Sequence, residues 1–411
     1  MPAKISPFET LRIPVFRNYI VGSFISEIGN QMQVVAVAWQ VYELTRNPVS
    51  LGLIGLANFL PILAFSLIGG LFADRFNRRK ILIISQSALG LVSLSLFGLT
   101  FFHLINPWLI YLILILQSTA SSFSLPARQA VLPALVPKSL FMNAISLFSL
   151  HYQSSILTGP AIAGFLIAGF GVGSVYLFNV LSFLVFISMI LRIRVPLNLE
   201  KQVELSAKSI VEGVKFVLSA PILYSTMILD FLATFFGTAT ILMPVFAKDV
   251  LHVGPTGLGL LYSAPAMGAV IGGLVLSVLP HHQIKNQGKV IILAVLFYGV
   301  ATIGFGLSKS LLLSLFFLSL LGFWDMIARV IRNTVRQMIT PDHLRGRMVS
   351  VMRIFFQGGP QLGDIEAGLL AAAVGGPVSV VIGGVGVIAI TSIVAFLNPK
   401  LRNYQGKELT V

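Results

Sequence analysis

The chain alternates long apolar runs with short charged knots. Val49 to Ala73 contains no Asp, Glu, Lys or Arg, and neither does Ile81 to Ala127. Between them stands Asp74-Arg75-Phe76-Asn77-Arg78-Arg79-Lys80. A helix needs about 20 apolar residues to cross a bilayer, so the runs predict membrane-spanning helices and the knot predicts a tight loop joining two of them. Read this way the chain has twelve spans, at about 18–42, 49–73, 81–102, 107–125, 142–168, 174–192, 222–247, 256–279, 290–308, 311–330, 349–374 and 377–397. Where apolar runs merge, Asn106-Pro107, Gly169 to Ser174 and Gly375-Gly376-Pro377 supply the breaks. The short alternating segments of a membrane β-barrel are absent, which leaves an all-α membrane protein.

Composition agrees: 56% of residues are hydrophobic and 10% charged, and the mean hydropathy is +0.92. A net charge of +14 would suggest nucleic acid if the charges shared one surface. Instead, 25 of the 28 Lys and Arg residues fall at the termini or in loops on one side, leaving only Arg46, Lys248 and Lys309 opposite. Positive loops stay in the cytoplasm, so both termini are expected there, with the lipid bilayer rather than nucleic acid as the partner. Met1 to Arg17 is a short basic lead, and the apolar run after it is too long for a signal-peptide core, so it is expected to remain as the first span. The chain lacks cysteine, so it has no thiol chemistry. It also lacks a Walker loop, and any uphill transport must draw on an ion gradient. His103, His252, His281 and His282 do not recur with carboxylates at metal-ligand spacing, and no metal or other cofactor is expected.

The halves repeat. A shift of 204 residues pairs Arg128 with Arg332, Pro137 with Pro341, Gly159 with Gly363 and Gly164 with Gly368. A shift of 203 pairs Gly69-Gly70 with Gly272-Gly273 and Glu27 with Asp230. Two six-helix bundles in one orientation follow, residues 1–195 and 221–411. Residues 196–220 form a cytoplasmic linker in which Ile210, Val211, Val214, Val217 and Leu218 recur at helical spacing, as in an amphipathic helix lying on the membrane face.

Gly70-x3-Asp74-Arg75-x2-Arg78-Arg79-Lys80, between spans two and three, resembles the signature loop of the major facilitator superfamily. The glycine usual after the first arginine is Asn77 here, a residue that tolerates the left-handed backbone such a turn would need. Ser124-Leu-Pro-Ala-Arg128 with Pro137, Leu44-Thr45-x3-Val49-x-Leu51-Gly52, and Pro341-Asp342-x-Leu344-Arg345-Gly346-Arg347 resemble the branch holding the enterobactin exporter, macrolide efflux pumps and related drug–proton antiporters. The resemblance implies a bacterial inner-membrane transporter with pseudo-symmetric halves and a cavity between them at mid-membrane. It also implies that Gly70, Asp74 and Arg75 act as a conformational latch, with Arg128 and the basic stretch holding Arg332 and Arg336 as partners. The competing reading is that these charges only set topology.

Intramembrane charges are the candidate chemistry. Glu27 lies inside span one, on a face shared with Ser23, Gln31 and, one step round, Asn30. Asp230 holds the matched place in span seven, with Thr226, Thr234 and Thr238 at spacings of four. An ionised carboxylate in hydrocarbon costs several kcal/mol, so such residues face a watery cavity, hold a proton, or make a structural bond between helices. Span eleven has a third stripe, Arg353, Gln357, Gln361 and Asp364, with Glu366 on another face. Asp325 and Arg329, four apart in span ten, predict an intrahelical pair. Trp39, Asn58, Gln117, Tyr152, Gln153, Asn179 and Trp324 line a cavity or pack between helices.

Together these readings describe a secondary active exporter of small amphipathic organic molecules, drug or siderophore-like, working as a monomer by proton antiport and alternating access. An importer or metal-ion carrier of the same fold, or a lipid flippase, fits the same architecture. An enzyme would need a clustered nucleophile and base, which the chain lacks.

Overall fold

The computed structural model describes residues 9–193, 207–238, 240–278, 286–341 and 344–406, without the side chains of 66–71, 73–75, 129–130, 207–211, 213, 345–347, 349–351, 353–355 and 357. The helices are α1 Pro14–Thr45, α2 Pro48–Arg75, α3 Arg78–Phe101, α4 Pro107–Val131, α5 Phe141–Phe170, α6 Val172–Arg192, α7 Ala207–Ser219, α8 Pro221–Gly237, α9 Met243–Val245, α10 Gly254–Val278, α11 Gln287–Leu307, α12 Leu311–Ile339, α13 Arg345–Val374, α14 Gly376–Leu397 and α15 Pro399–Arg402. No strand occurs among the described residues. Among the described residues, ten segments are long and apolar enough to cross a membrane. Of the two other long helices, α1 runs for 32 residues and α13 for 30. These two carry the polar stripes around Glu27 and Asp364, which lower their hydropathy without shortening them.

Sequence punctuation explains the helix ends. Asn106 caps α4, its side chain accepting from Leu109 N at 3.0 Å, and Pro107 takes the first helical position, where a missing N–H costs nothing. Gly171 and Gly375, related by the 204-residue shift, turn α5 into α6 and α13 into α14 at φ 78° and 88°, a backbone region costly to other residues. Asn77 departs from expectation. It sits at φ −60°, ψ 113°, not left-handed, and its side chain accepts from Arg79 N and Lys80 N at 3.0 and 3.3 Å. The turn needs a cap for α3 rather than a positive φ, and asparagine supplies it.

The seventh span also differs from a single helix. α8 stops at Gly237, and the chain continues as a 3-10 turn at Thr240–Leu242, α9, and a π turn at Phe246–Val250. Gly237 O accepts from Tyr298 Oη at 2.9 Å, and Pro244 has no N–H to carry a helical ladder onward.

The chain divides into two compact units, residues 1–44 with 60–203, and residues 45–59 with 204–411. α2 is shared between them, and the division falls beside Pro61, which interrupts the helix ladder there. In the first unit α3 packs on α4 and α6, and α5 on α6. In the second, α10 packs on α12, α11 on α12 and α14, and α8 on α13 and α14. α7 stands where the linker's periodicity placed a helix. It lays Val217 into a small buried cluster with Met227 and Met348, against α8 and α13.

Candidate functional site

Each unit buries a carboxylate and an arginine, and the structure brings them together at the positions the repeat relates. In the first unit Arg128 of α4 reaches Glu27 of α1, Nη1 to Oε2, at 3.2 Å. Nη2 of the same guanidinium donates to Gln86 Oε1 of α3 at 3.1 Å, and Gln86 Nε2 donates to Ser124 Oγ at 2.7 Å. Gln31 Nε2 donates to Glu27 Oε1 at 3.2 Å, and the guanidinium lies 5.0 Å above the Phe186 ring. Tyr19 Oη closes the cluster on the Arg128 carbonyl at 3.3 Å. α1 presents Tyr19, Ser23, Glu27 and Gln31 together because residues four apart share a helix face.

In the second unit Asp230 of α8 meets two arginines of α12. Arg332 Nη2 approaches Oδ1 at 2.6 Å, and Arg336 Nη2 approaches Oδ2 at 3.2 Å. Arg336 also donates to the Thr226 carbonyl at 2.7 Å and, through Nε, to the Thr226 hydroxyl at 3.2 Å. The predicted intrahelical pair of Asp325 with Arg329 forms, and Asp325 stands 3.9 Å from Arg332. Arg332 and Arg336 are 3% and 2% exposed, and Asp230 is the nearest counter-charge to both.

These contacts redistribute the roles read from sequence. Arg128, Arg332 and Arg336 were expected to serve the latch at Asp74. Among the described residues they pair with the intramembrane carboxylates, which supply the counter-charge that a buried guanidinium needs. The side chains of Asp74 and Arg75, and the surroundings of Gly70, lie outside the described residues, as do the side chains of Arg353 and Gln357. Glu27 and Asp230 do not stand alone in a cavity; each is paired. Thr234 and Thr238 return their hydroxyls to carbonyls of their own helix, Asp230 O and Thr234 O. Asn30 is half-buried on α1.

On α13, Asp364 and Glu366 have no ion-pair partner among the described residues, and Gln361 Oε1 is buried with no hydrogen bond there. Asp364 packs on the first half of α2, where a Cβ added to Gly55 would stand 2.6 Å from its Cβ. Several of the candidate cavity residues are packing groups, Gln117 among them through Gln33. Asn179 is fully buried and donates to Gln33 Oε1 at 2.8 Å, and Trp324 stacks on Phe297 with centroids 4.8 Å apart. Sequence reasoning missed His151 of α5, whose Nε2 lies 3.4 Å from Ser23 Oγ, one turn from Glu27. Histidines weighed only for metal-ligand spacing hide such a residue, and pairing polar positions across helices is what would have found it.

A family model described as transmembrane secretion effector matches residues 5–410. The enterobactin exporter of Citrobacter koseri is 26% identical over 401 residues, covering 95% of this chain and 94% of that protein. The staphyloferrin A transporter of Staphylococcus aureus is 26% identical over 391 residues, covering 93% and 96%. The multidrug efflux pump of Mycolicibacterium fortuitum is 29% identical over 359 residues, covering 84% and 87%. Among solved structures, a bacterial homologue of the human lysosomal transporter Spinster, inward-facing and unoccupied, superposes with a TM-score of 0.75 at 15% identity, covering 95% of this chain and 97% of that one. A bacterial homologue of the iron transporter ferroportin, also inward-facing, gives 0.72 at 14% identity, covering 95% and 99%. With the family model spanning nearly the whole chain and relatives of the same length that are transporters, the chain belongs to the transmembrane secretion effector family of the major facilitator superfamily and is a multi-pass membrane transporter of small molecules, not an enzyme.

Proposed function

We propose that this transporter exports small amphipathic organic molecules, of drug or siderophore-like kind, across the cytoplasmic membrane of a bacterium, as a single chain with both termini in the cytoplasm, by exchange for protons and alternating access. The observation that carries the reading is the buried carboxylate–arginine pair repeated in both units, Glu27 with Arg128 and Asp230 with Arg332. The names of the relatives, an enterobactin exporter and a multidrug efflux pump, support export of organic molecules. The distribution of Lys and Arg supports the orientation.

A buried ion pair has two stable resolutions. Either the carboxylate stays ionised on its arginine, or it takes a proton and leaves the guanidinium to a solute or to water. Exchange of a proton for an organic substrate at such a pair is the coupling step of the proposed cycle. Asp364, Glu366, Gln357, Gln361 and Arg353 of α13 are proposed to complete the substrate path, and Gly70, Asp74 and Arg75 the cytoplasmic latch.

A substrate panel in bacterial cells stripped of their own efflux pumps identifies what is moved. Uptake of that compound into inverted vesicles is then expected to rise with an inside-acid gradient and to fall when nigericin collapses it. Uptake indifferent to nigericin would remove proton coupling. Asp74→Asn is expected to slow turnover while leaving substrate affinity nearly unchanged, and a full-rate variant would remove the latch.

A further inference from the structure

The two buried pairs differ in the group that faces a matched hydroxyl. In the second unit the hydroxyl of Thr226, one turn before Asp230, accepts from Arg336, and the same guanidinium reaches Asp230. In the first unit Ser23, 203 residues earlier than Thr226, stands one turn before Glu27, and its hydroxyl meets His151 Nε2 at 3.4 Å. One hydroxyl therefore faces a permanent cation and its counterpart faces an imidazole. The exchange is reciprocal. A shift of 204 places Leu132 where the second half has Arg336, and Phe355 where the first half has His151.

We propose that His151 is the protonatable partner of the Glu27–Arg128 pair, taking up and returning a proton beside Glu27, so that the proton-linked change of charge belongs to the first unit while the second keeps a fixed charge. The inference rests on the antiport reading above and assigns it to one side of the molecule.

Charge bookkeeping supports the asymmetry. Arginine does not deprotonate in proteins, so with its carboxylate ionised the cluster of Asp230, Arg332 and Arg336 carries one positive charge. The neighbouring Asp325–Arg329 pair leaves that total unchanged. Glu27 and Arg128 cancel, so the first site is neutral with a neutral imidazole and matches the charge of the second site only when His151 is protonated.

The surroundings of His151 leave both nitrogens loosely held. The residue is 8% exposed, and its ring packs edge-on to Phe148 and Phe24, with centroids 4.6 and 6.4 Å away. Nδ1 lies near the Leu147 and Phe148 carbonyls of its own helix without an aligned hydrogen bond. A purely structural histidine in a core is pinned by such a bond, since an unmade one in a dry site is costly. The charges acting on the ring are Glu27 of α1 and Arg128 of α4. α1 adds the Tyr19 hydroxyl, which is bonded to Arg128 O. α6 carries one charged residue, Arg192, at its far end, and the 3-10 turns beside α5 bring Glu9, Arg12 and Lys138.

The test uses the full chain in lipid nanodiscs with 15N-labelled histidine, read by ring NMR from pH 8 to pH 5. The His151 signal is the one lost in His151→Gln. Its nitrogens are expected to pass from the neutral to the imidazolium pattern within that window. Glu27→Gln is expected to displace the midpoint, and Asp230→Asn to leave it in place. A ring that stays neutral throughout, or a midpoint unmoved by Glu27→Gln, overturns the proposal. Unchanged signals from the other histidines separate this outcome from misfolding. The vesicle experiment with nigericin decides antiport independently, so a failure of coupling and a failure of His151 are read on different instruments.

Discussion

The two units hold the same ion pair but hold their helices together by different chemistry. In the first, side-chain amides join α1, α3, α4 and α6. Gln33 donates to Gln117 Oε1 at 2.7 Å and accepts at its own Oε1 from Ser93 and Asn179, at 2.7 and 2.8 Å. A second link runs from Tyr176 to Gln40 and on to Thr100, at 2.8 and 3.0 Å. Shifted by 203, Gln33 becomes Phe236; shifted by 204, Asn179 becomes Gly383. These two also touch, since a Cβ on Gly383 would stand 2.3 Å from Phe236 O. The second unit has thus kept the helix crossing and replaced a hydrogen bond with close approach of backbones. It does the same between α10 and α12, where a Cβ on Gly268 would lie 1.7 Å from Ser319 O and one on Gly322 would lie 1.9 Å from Pro265 O. In lipid, where burying apolar surface between helices gains little, hydrogen bonds and small-residue packing are the two available sources of cohesion. The two halves weight them differently at these crossings, and the ion pair is common to both. A feature that survives when the surrounding chemistry is exchanged is the better candidate for function.

The largest expected effect is at the second site. Asp230→Asn removes the carboxylate shared by two buried guanidinium groups, leaving Arg336 its bonds to Thr226 and Arg332 only the more distant Asp325, and is expected to cost about 3–5 kcal/mol, lowering the unfolding temperature in detergent. Glu27→Gln strands one, which keeps its bond to Gln86, so its cost is expected to be clearly smaller. Equal losses from the two variants would break the comparison. Next come the glycines. Gly322→Ala must push α10 from α12 and is expected to cost about 1–3 kcal/mol by the same measurement. Asn179→Ala in the first unit removes one donor to Gln33, which keeps Ser93 and Gln117, and about 1–2 kcal/mol is expected. The smallest effect belongs to Arg46→Ala. Its pair with Asp249 is 3.7 Å long, with side chains 58% and 42% exposed, and about 0–1 kcal/mol is expected from chemical denaturation. A larger loss there would mean that exposed charge contributes as much as buried charge in this protein.

Much of this architecture is legible in the residues. Asn106-Pro107, Gly171 and Gly375 mark helix ends where they occur, and the charged loops mark every second turn. The repeat shift also named Glu27, Asp230, Arg128 and Arg332 as matched residues. It did not pair them, because the shift relates one half to the other while the bonds run between helices within a half, 101 residues apart for Glu27 and Arg128. Asn77 shows the same limit at short range, since residue type allows both a left-handed turn and a cap, and only the backbone selects. His151 was illegible for a third reason. Its meaning comes from Ser23, 128 residues away, and nothing on its own helix announces it.

What the sequence determined by itself is the set of apolar lengths, the side on which positive charge lies, and the duplication, because each follows from local composition against the fixed thickness of a bilayer. What only the tertiary structure decided is which buried charges neutralise which. That choice depends on side chains of α1, α4, α5, α8 and α12 meeting within a few ångströms, and the free energy of an ion in a low-dielectric interior is set by its neighbours rather than by its position in the chain.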